Sequence, residues 1–193
     1  SFGSFDDPAP GAGEVLVATE ASALNHLDLW VVRGLPGVDL NYPRITGSDG
    51  CGRVVEVGAS VDSAWIGRRV ILNAAVPIEE PVRPDVDPAP PDRIVIGEHT
   101  NGTMAQRFVA PVANVIDVGD TDPIVAAAFG LAHLTAWRML LTQARLRHGQ
   151  TVLVTGIGGG VALAALAIAR SFGCRVIVTS RHQSKLDRAV ELR

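Results

Sequence analysis

The sequence predicts an α/β protein in two parts: an all-β first half, and a βαβ unit that opens a parallel sheet in the second. Three observations predict it. Short apolar runs separated by glycine-containing turns fill residues 1–121. From Asp122 the apolar period becomes that of a helix. Residues Val154 to Arg188, "VTGIGGGVALAALAIARSFGCRVIVTSRHQSKLDR", then compress an apolar run, a glycine cluster, a helix-like run and a second apolar run into 35 residues. The corresponding division is 1–121 for the β part and 122–193 for the connecting helices and βαβ unit.

Composition narrows the function classes. The chain has 193 residues, 47% of them hydrophobic, and a formal net charge of -3, enough apolar material for one or two ordinary soluble cores. That charge balance lacks the basic field on which phosphate-backbone binding relies, so no nucleic-acid partner is expected. The longest wholly apolar stretch, Val161 to Ala169, falls far short of the roughly 20 residues of a spanning helix, and no membrane partner is expected either. Two cysteines, Cys51 and Cys174, make no disulfide framework, and no leading basic and apolar segment marks export. A cytoplasmic location is the expectation. The opening residues, with no initiating Met, read as the interior of a longer chain.

In the β half, Val15 to Ala18, Val54 to Val57 and Val70 to Leu72 are strand-like. One helix interrupts them: in "NHLDLWVVRG" Leu27, Trp30 and Val31 recur at helical spacing, and Gly34 supplies a left-handed stop. Between Pro77 and Pro91 six prolines alternate with acids. Proline donates no ladder hydrogen bond and breaks helices, so this stretch reads as a solvated loop. Asp122 is placed to cap a helix and Pro123 to begin it, and "IVAAAFGLAHLTAWRMLLTQA" continues it with a break at Gly130. Gly149 turns the chain into the strand "TVLVT". A glycine turn, a helix over Val161 to Phe172, a strand over Arg175 to Ser180 and a further helix from about Ser184 follow.

The glycine turn carries the first functional signal. A pyrophosphate must come close to backbone, and glycines at a strand-to-helix turn remove the Cβ atoms in its way, while the helix start offers free N–H groups. The strict G-x-G-x-x-G/A frame fails, because Val161 stands where the third small residue belongs. A relaxed frame, Gly156, Gly159 and Ala162, keeps the tight turn, the bare approach and the close helix packing. Gly156, Gly159, Gly160 and Val161 are therefore the candidate phosphate cradle, against the plain alternative of a tight connection. The next strand selects the dinucleotide. A carboxylate at its end would bind the ribose hydroxyls of NADH and repel a 2′-phosphate. Here no acid lies between Gly173 and Lys185; instead Ser180, Arg181 and Lys185 offer a hydroxyl, a guanidinium and an ammonium suited to a phosphate dianion. NADPH is the expected cofactor, the alternative being that both cations are ordinary solvated charges.

With those residues in hand, the chain resembles the medium-chain dehydrogenase/reductase superfamily. The resemblance rests on "PGAGEVLV", "ASALNHLDLWVVRGLPG", "PRITGSDGCGRVVEVG", "GRRV", "EHTNGTMAQRFVAP" and "GLAHLTAWRMLL", in family order. It implies a GroES-like β-barrel domain followed by the first βαβα part of a Rossmann doubly wound parallel sheet. It also locates the metal positions of zinc-containing relatives at Asn25, Ser48 and Leu131, none of them a useful ligand. His26, Asp49, Cys51 and His99 make a poor substitute set, and the proline-rich loop stands where relatives carry four cysteines, so no metal is expected. The resemblance then points to the zinc-independent, quinone oxidoreductase-like branch, which passes hydride from NADPH to a quinone or to a double bond conjugated to a carbonyl, including enoyl substrates.

Within that resemblance Asn25 is the candidate donor to the substrate carbonyl, and capping of the helix that begins at His26 is its other reading. Thr135 matches a position near the nicotinamide ring, and a bond back to its own helix is the alternative. Asp49 matches an acid behind the metal site, with a structural role expected. Two other functions stay open: a zinc-type alcohol dehydrogenase, and a non-catalytic relative that binds NADPH. Two parallel strands alone leave each strand short of a neighbour and one sheet face without a helix. The chain is accordingly expected to be a fragment, cut at both ends, of an enzyme that forms homodimers when intact and acts on a small carbonyl or quinone substrate.

Overall fold

Strand β1 (Glu14–Ala23) opens the first unit, with Val15, Leu16 and Val17 all within 3% of full burial. A computed structural model describes residues 3–35, 40–78 and 93–192. β1 is followed by helix α1 (His26–Arg33), then β2 (Asp49–Val57), β3 (Arg69–Leu72), β4 (Ala75–Pro77), β5 (Arg93–Val95), β6 (Arg107–Pro111) and β7 (Val115–Asp117). Five of these strands form an antiparallel sheet in the order β6-β1-β2-β3-β7, and β4 pairs with β5 in a separate ribbon. Register shifts in β1 at Leu16/Val17 and Thr19/Ala21 bend the sheet, as an unpaired extra residue does, and the expected barrel is a curled half-barrel.

The inner face explains why the apolar runs sit where they do. Val15, Val17, Val54, Val70, Leu72, Phe108 and Ala110 close into one cluster with Ile96 and Val115. Burying each larger side chain contributes about 1.5–3 kcal/mol before the entropy of ordering is subtracted. On the other face, α2 (Pro123–Ala127) covers Cys51 with Ala126 and Ala127. Asp122 caps that helix, its carboxylate accepting from the N–H groups of Ile124 (2.9 Å) and Val125 (3.2 Å), as its position before Pro123 predicts. Because α2 packs on β1, β2 and β3, the first compact unit runs to Leu131, whereas the sequence division falls at 121/122. Of the proline-rich stretch, Pro77 ends β4 and residues 79–92 lie outside the described residues.

The second unit begins at Ala132. The long helix expected from Asp122 is three pieces: α2, α3 (Leu131–Trp137) and a π-helical turn, Arg138–Gln143. At the break, position 130 is restricted to glycine, since a Cβ there would collide with the carboxylate of Asp49. The π turn widens the last stretch, with the N–H of Ala144 bonded to the carbonyl of Met139, five residues back.

Strands β8 (Thr151–Val154) and β9 (Arg175–Val178) pair in parallel, joined through helix α4 (Gly160–Ser171) and followed by α5 (Gln183–Glu191). The second strand stops at Val178 rather than Ser180, which leaves Thr179 and Ser180 in the turn. Val152, Val154, Val176 and Val178 pack with Leu166 and Ala189 of the two helices. Alternation sends Leu153 and Ile177 to the opposite face, 61% and 43% exposed.

Candidate functional site

Two constellations gather the candidate residues, one in each unit. In the second, β8 ends at Val154 and the backbone turns through Gly156 (φ 70°) and Gly158 (φ 115°), conformations that L side chains rarely adopt. Ile157 between them is 1% exposed and locks the turn into the core, its N–H donating to the carbonyl of Thr179 at 2.9 Å. Gly159 is the extended N-cap of α4. The first N–H groups of that helix, at Gly160 and Val161, have no acceptor within it, as at every helix start. They carry the partial positive charge of the helix end.

The strand end returns to the same place. Gly156, Ile157, Thr179, Ser180, Arg181, His182 and Lys185 line an open cleft of about 440 Å³, with no acid among them. The side chain of Lys185 lies over the turn, so that a Cβ on Gly158 would meet its Cδ at 2.8 Å. Ser180 Oγ accepts from the N–H of His182 at 3.1 Å, which leaves its own O–H as a donor. Gly156 and the hydroxyl–cation trio Ser180, Arg181 and Lys185 are thus brought together; Gly159, Gly160 and Val161 stand at the start of α4 rather than in the lining. Sequence reasoning missed Thr179 and His182. Their signal was position alone, immediately after the strand and on either side of residues already chosen. These groups fit a dinucleotide phosphate in charge and in bareness of backbone.

In the first unit Asp49, 2% exposed at the start of β2, is the hub. Its Oδ2 accepts from Asn25 Nδ2 at 2.9 Å and its Oδ1 from the N–H of Leu131 at 2.5 Å. Its carbonyl accepts from Thr103 Oγ1 at 2.7 Å. Asn25 is also the N-cap of α1, and its N–H donates to Asp28 Oδ2 at 2.6 Å. Asp28, 6% exposed, holds the N–H of Gly47 with its other oxygen at 3.0 Å. The sequence reading overlooked Asp28, although an acid three residues after an N-cap is a capping signature.

Ser48 is fully buried and donates to the carbonyl of Ile96 at 2.7 Å. Amide, hydroxyl and leucine at positions 25, 48 and 131 therefore form a donor set that does not suit zinc, which takes thiolate, imidazole or carboxylate ligands. Among the described residues no three His, Cys, Asp or Glu side chains are grouped to hold a metal ion, so His26, Asp49, Cys51 and His99 are not gathered into a set. Burial, with a smaller contribution from Glu20, pushes the Cys51 thiol up, away from thiolate chemistry. Thr135 lies on α3, exposed, in the other compact unit from Asn25. Among the described residues no helix is long and apolar enough to cross a membrane.

Comparison with known proteins places these residues in a family. The alcohol dehydrogenase GroES-like domain matches residues 11–120. A zinc-type alcohol dehydrogenase-like protein, YogA, of Leptosphaeria maculans is 37% identical, over 96% of this chain and 53% of its own length. The acryloyl-coenzyme A reductase of Metallosphaera sedula is 29% identical, over 93% of this chain and 54% of its own. A crystal structure of an NAD-dependent alcohol dehydrogenase superposes with a TM-score of 0.89 at 38% identity, covering 98% of this chain and 56% of that one. The chain thus spans about half the length of the curated relatives it matches. Its matched domain, its glycine turn and its βαβ unit together make it a member of the medium-chain dehydrogenase/reductase superfamily, with the alcohol dehydrogenase GroES-like domain as its first part.

Proposed function

We propose that this chain serves an NADPH-dependent, zinc-independent oxidoreductase that reduces a quinone or a double bond conjugated to a carbonyl, enoyl thioesters included. The observation that carries the reading is the cleft in which Ser180, Arg181 and Lys185 meet the Gly156 turn with no carboxylate beside them. A guanidinium and an ammonium there favour a 2′-phosphate, and the acid that would favour NADH is missing from the lining. The donor set at Asn25, Ser48 and Leu131 supports a reaction without a Lewis acid. The similarity to an acryloyl-coenzyme A reductase supports the enoyl class of substrate.

NADPH, when bound, supplies the hydride. Everything else falls to the chain. The bare backbone of Gly156, Gly159 and Gly160 and the free N–H groups of Gly160 and Val161 receive the pyrophosphate, and Ser180, Arg181 and Lys185 receive the 2′-phosphate. Asn25 donates an amide N–H to the substrate carbonyl oxygen as negative charge builds there, the kind of interaction that strengthens toward the transition state. Thr135 is assigned to the nicotinamide end on the resemblance of "LTAW". The small-molecule substrate and a homodimeric assembly belong to the same reading.

A zinc-type alcohol dehydrogenase remains the second reading because of the similarity to one such protein. The decisive experiment titrates NADPH and NADH fluorescence against wild type and Arg181→Ala, with metal analysis and turnover on enones, quinones and alcohols. Wild type is expected to prefer NADPH, and the variant to bind it about 10- to 100-fold more weakly with NADH affinity unchanged, as loss of a charge-assisted bond predicts. Equal loss for both cofactors, or one equivalent of zinc with alcohol oxidation, overturns the proposal.

A further inference from the structure

The Asn25 amide has two N–H groups and one carbonyl oxygen, and which of them meets a ligand depends on what fixes its rotation. We infer that Asp49 is the positioning residue that holds the Asn25 amide with a nitrogen turned inward, so that its second N–H is the group left to donate to substrate. The inference rests on the proposed role of Asn25 and adds the residue that makes that role possible.

A carboxylate only accepts, so the side-chain atom of Asn25 facing Asp49 Oδ2 at 2.9 Å is the nitrogen. Asp49 is itself held from several directions. It is 2% exposed, its other oxygen accepts from the Leu131 N–H at 2.5 Å, and its carbonyl accepts from Thr103 Oγ1 at 2.7 Å. A Cβ at Gly130 would collide with Oδ1, so the carboxylate sits in a space cut to fit. The backbone of Asn25 has a separate anchor in Asp28, whose Oδ2 takes its N–H at 2.6 Å while Oδ1 takes that of Gly47. Main chain and side chain of residue 25 are therefore each tied to a different buried carboxylate. Without the Asp49 charge the amide is free to flip and present its oxygen, a second acceptor, to a carbonyl that needs a donor. Asp49 also links the Asn25 side chain and the backbone of Leu131 through one carboxylate.

Two measurements test this. The first reads the protein without cofactor: in amide NMR spectra one Asn25 side-chain proton is expected to exchange slowly and its partner rapidly, and rapid exchange of both overturns the inference. The second is a double-mutant cycle in enone or enoyl-thioester reduction. Asn25→Ala is expected to lower kcat about 100-fold, the scale for losing one oxyanion donor. Asp49→Asn should lower kcat about tenfold with little change in KM for NADPH. The double variant should match Asn25→Ala within about twofold, because a positioning residue has nothing left to position. If Asn25→Ala is slow and the two losses multiply, Asp49 is merely structural and the inference fails while the role of Asn25 stands. If Asn25→Ala turns over at the wild-type rate, the donor reading falls, and this inference with it.

Discussion

Single residues in this chain answer to their immediate neighbours, and Glu20 is the clearest example. It bridges two strands, accepting from Arg69 Nε at 2.6 Å and lying 3.2 Å from Arg53 Nε. The Arg69 hydrogen bond, with the charges of both arginines, holds its carboxyl below the usual range despite some burial. The folded pKa is lowered, so the stabilisation is fully present above the ordinary glutamate value of about 4.3 and disappears as the pH falls through the lowered one. Acid unfolding followed by circular dichroism is expected to show a shallower loss of stability below about pH 4.3 in Glu20→Gln than in wild type. Identical acid profiles would show that the triad contributes nothing. The same proximity rule governs Asn25, where capping and donation are compatible uses of different atoms. Its N–H serves Asp28 and its Nδ2 serves Asp49.

Elements differ in how much of their surface the fold engages. Helix α4 is apolar nearly all round, yet only Ala164, Leu166 and Ala169 are buried, and of these Leu166 packs with the valines of β8 and β9. The two strands show the same division by alternation, valines inward and Leu153 with Ile177 outward. Leu166→Ala is accordingly expected to destabilise by about 2–4 kcal/mol, through lost burial and a cavity, whereas Leu153→Ala costs under about 1 kcal/mol. Urea unfolding of the two variants checks the order. Comparable losses would mean that the outer face of the β8–β9 sheet is engaged in solution. The glycine turn belongs to this scale too, because its positive φ values depend on Ile157 being seated in the core.

At the scale of the whole molecule, two compact units, 1–131 and 132–193, each carry their own apolar cluster. In the first, β1 lies between β6 and β2 and is hydrogen-bonded on both sides, while β6 and β7 form the edges. In the second, β8 and β9 each have one strand neighbour among the described residues. Amide hydrogen exchange read by mass spectrometry is expected to be slowest over Val15–Thr19 and faster over Arg175–Val178, since opening the latter breaks one ladder rather than two. The opposite order would mean that the second unit has partners beyond its own two strands.

Much of this was legible in residue order. Short apolar runs between glycine turns marked β1, β2 and β3; the Asp122–Pro123 pair marked the start of α2; and the glycine cluster between two apolar runs marked the strand-to-helix turn of a βαβ unit, because each depends on neighbours in sequence. The proposed preference for NADPH rests on the same local logic of a strand end without an acid. What tertiary structure alone decided is the company each residue keeps across the chain. Asp49 meeting Asn25 and Leu131, residues 24 and 82 positions away, is invisible to any local pattern. So is the restriction of position 130 to glycine, which a distant carboxylate imposes, and so is the unit boundary, which follows where α2 packs rather than where the helical period begins. Propensity and capping act over one turn of chain, whereas close packing and buried hydrogen bonds act wherever folding brings atoms together.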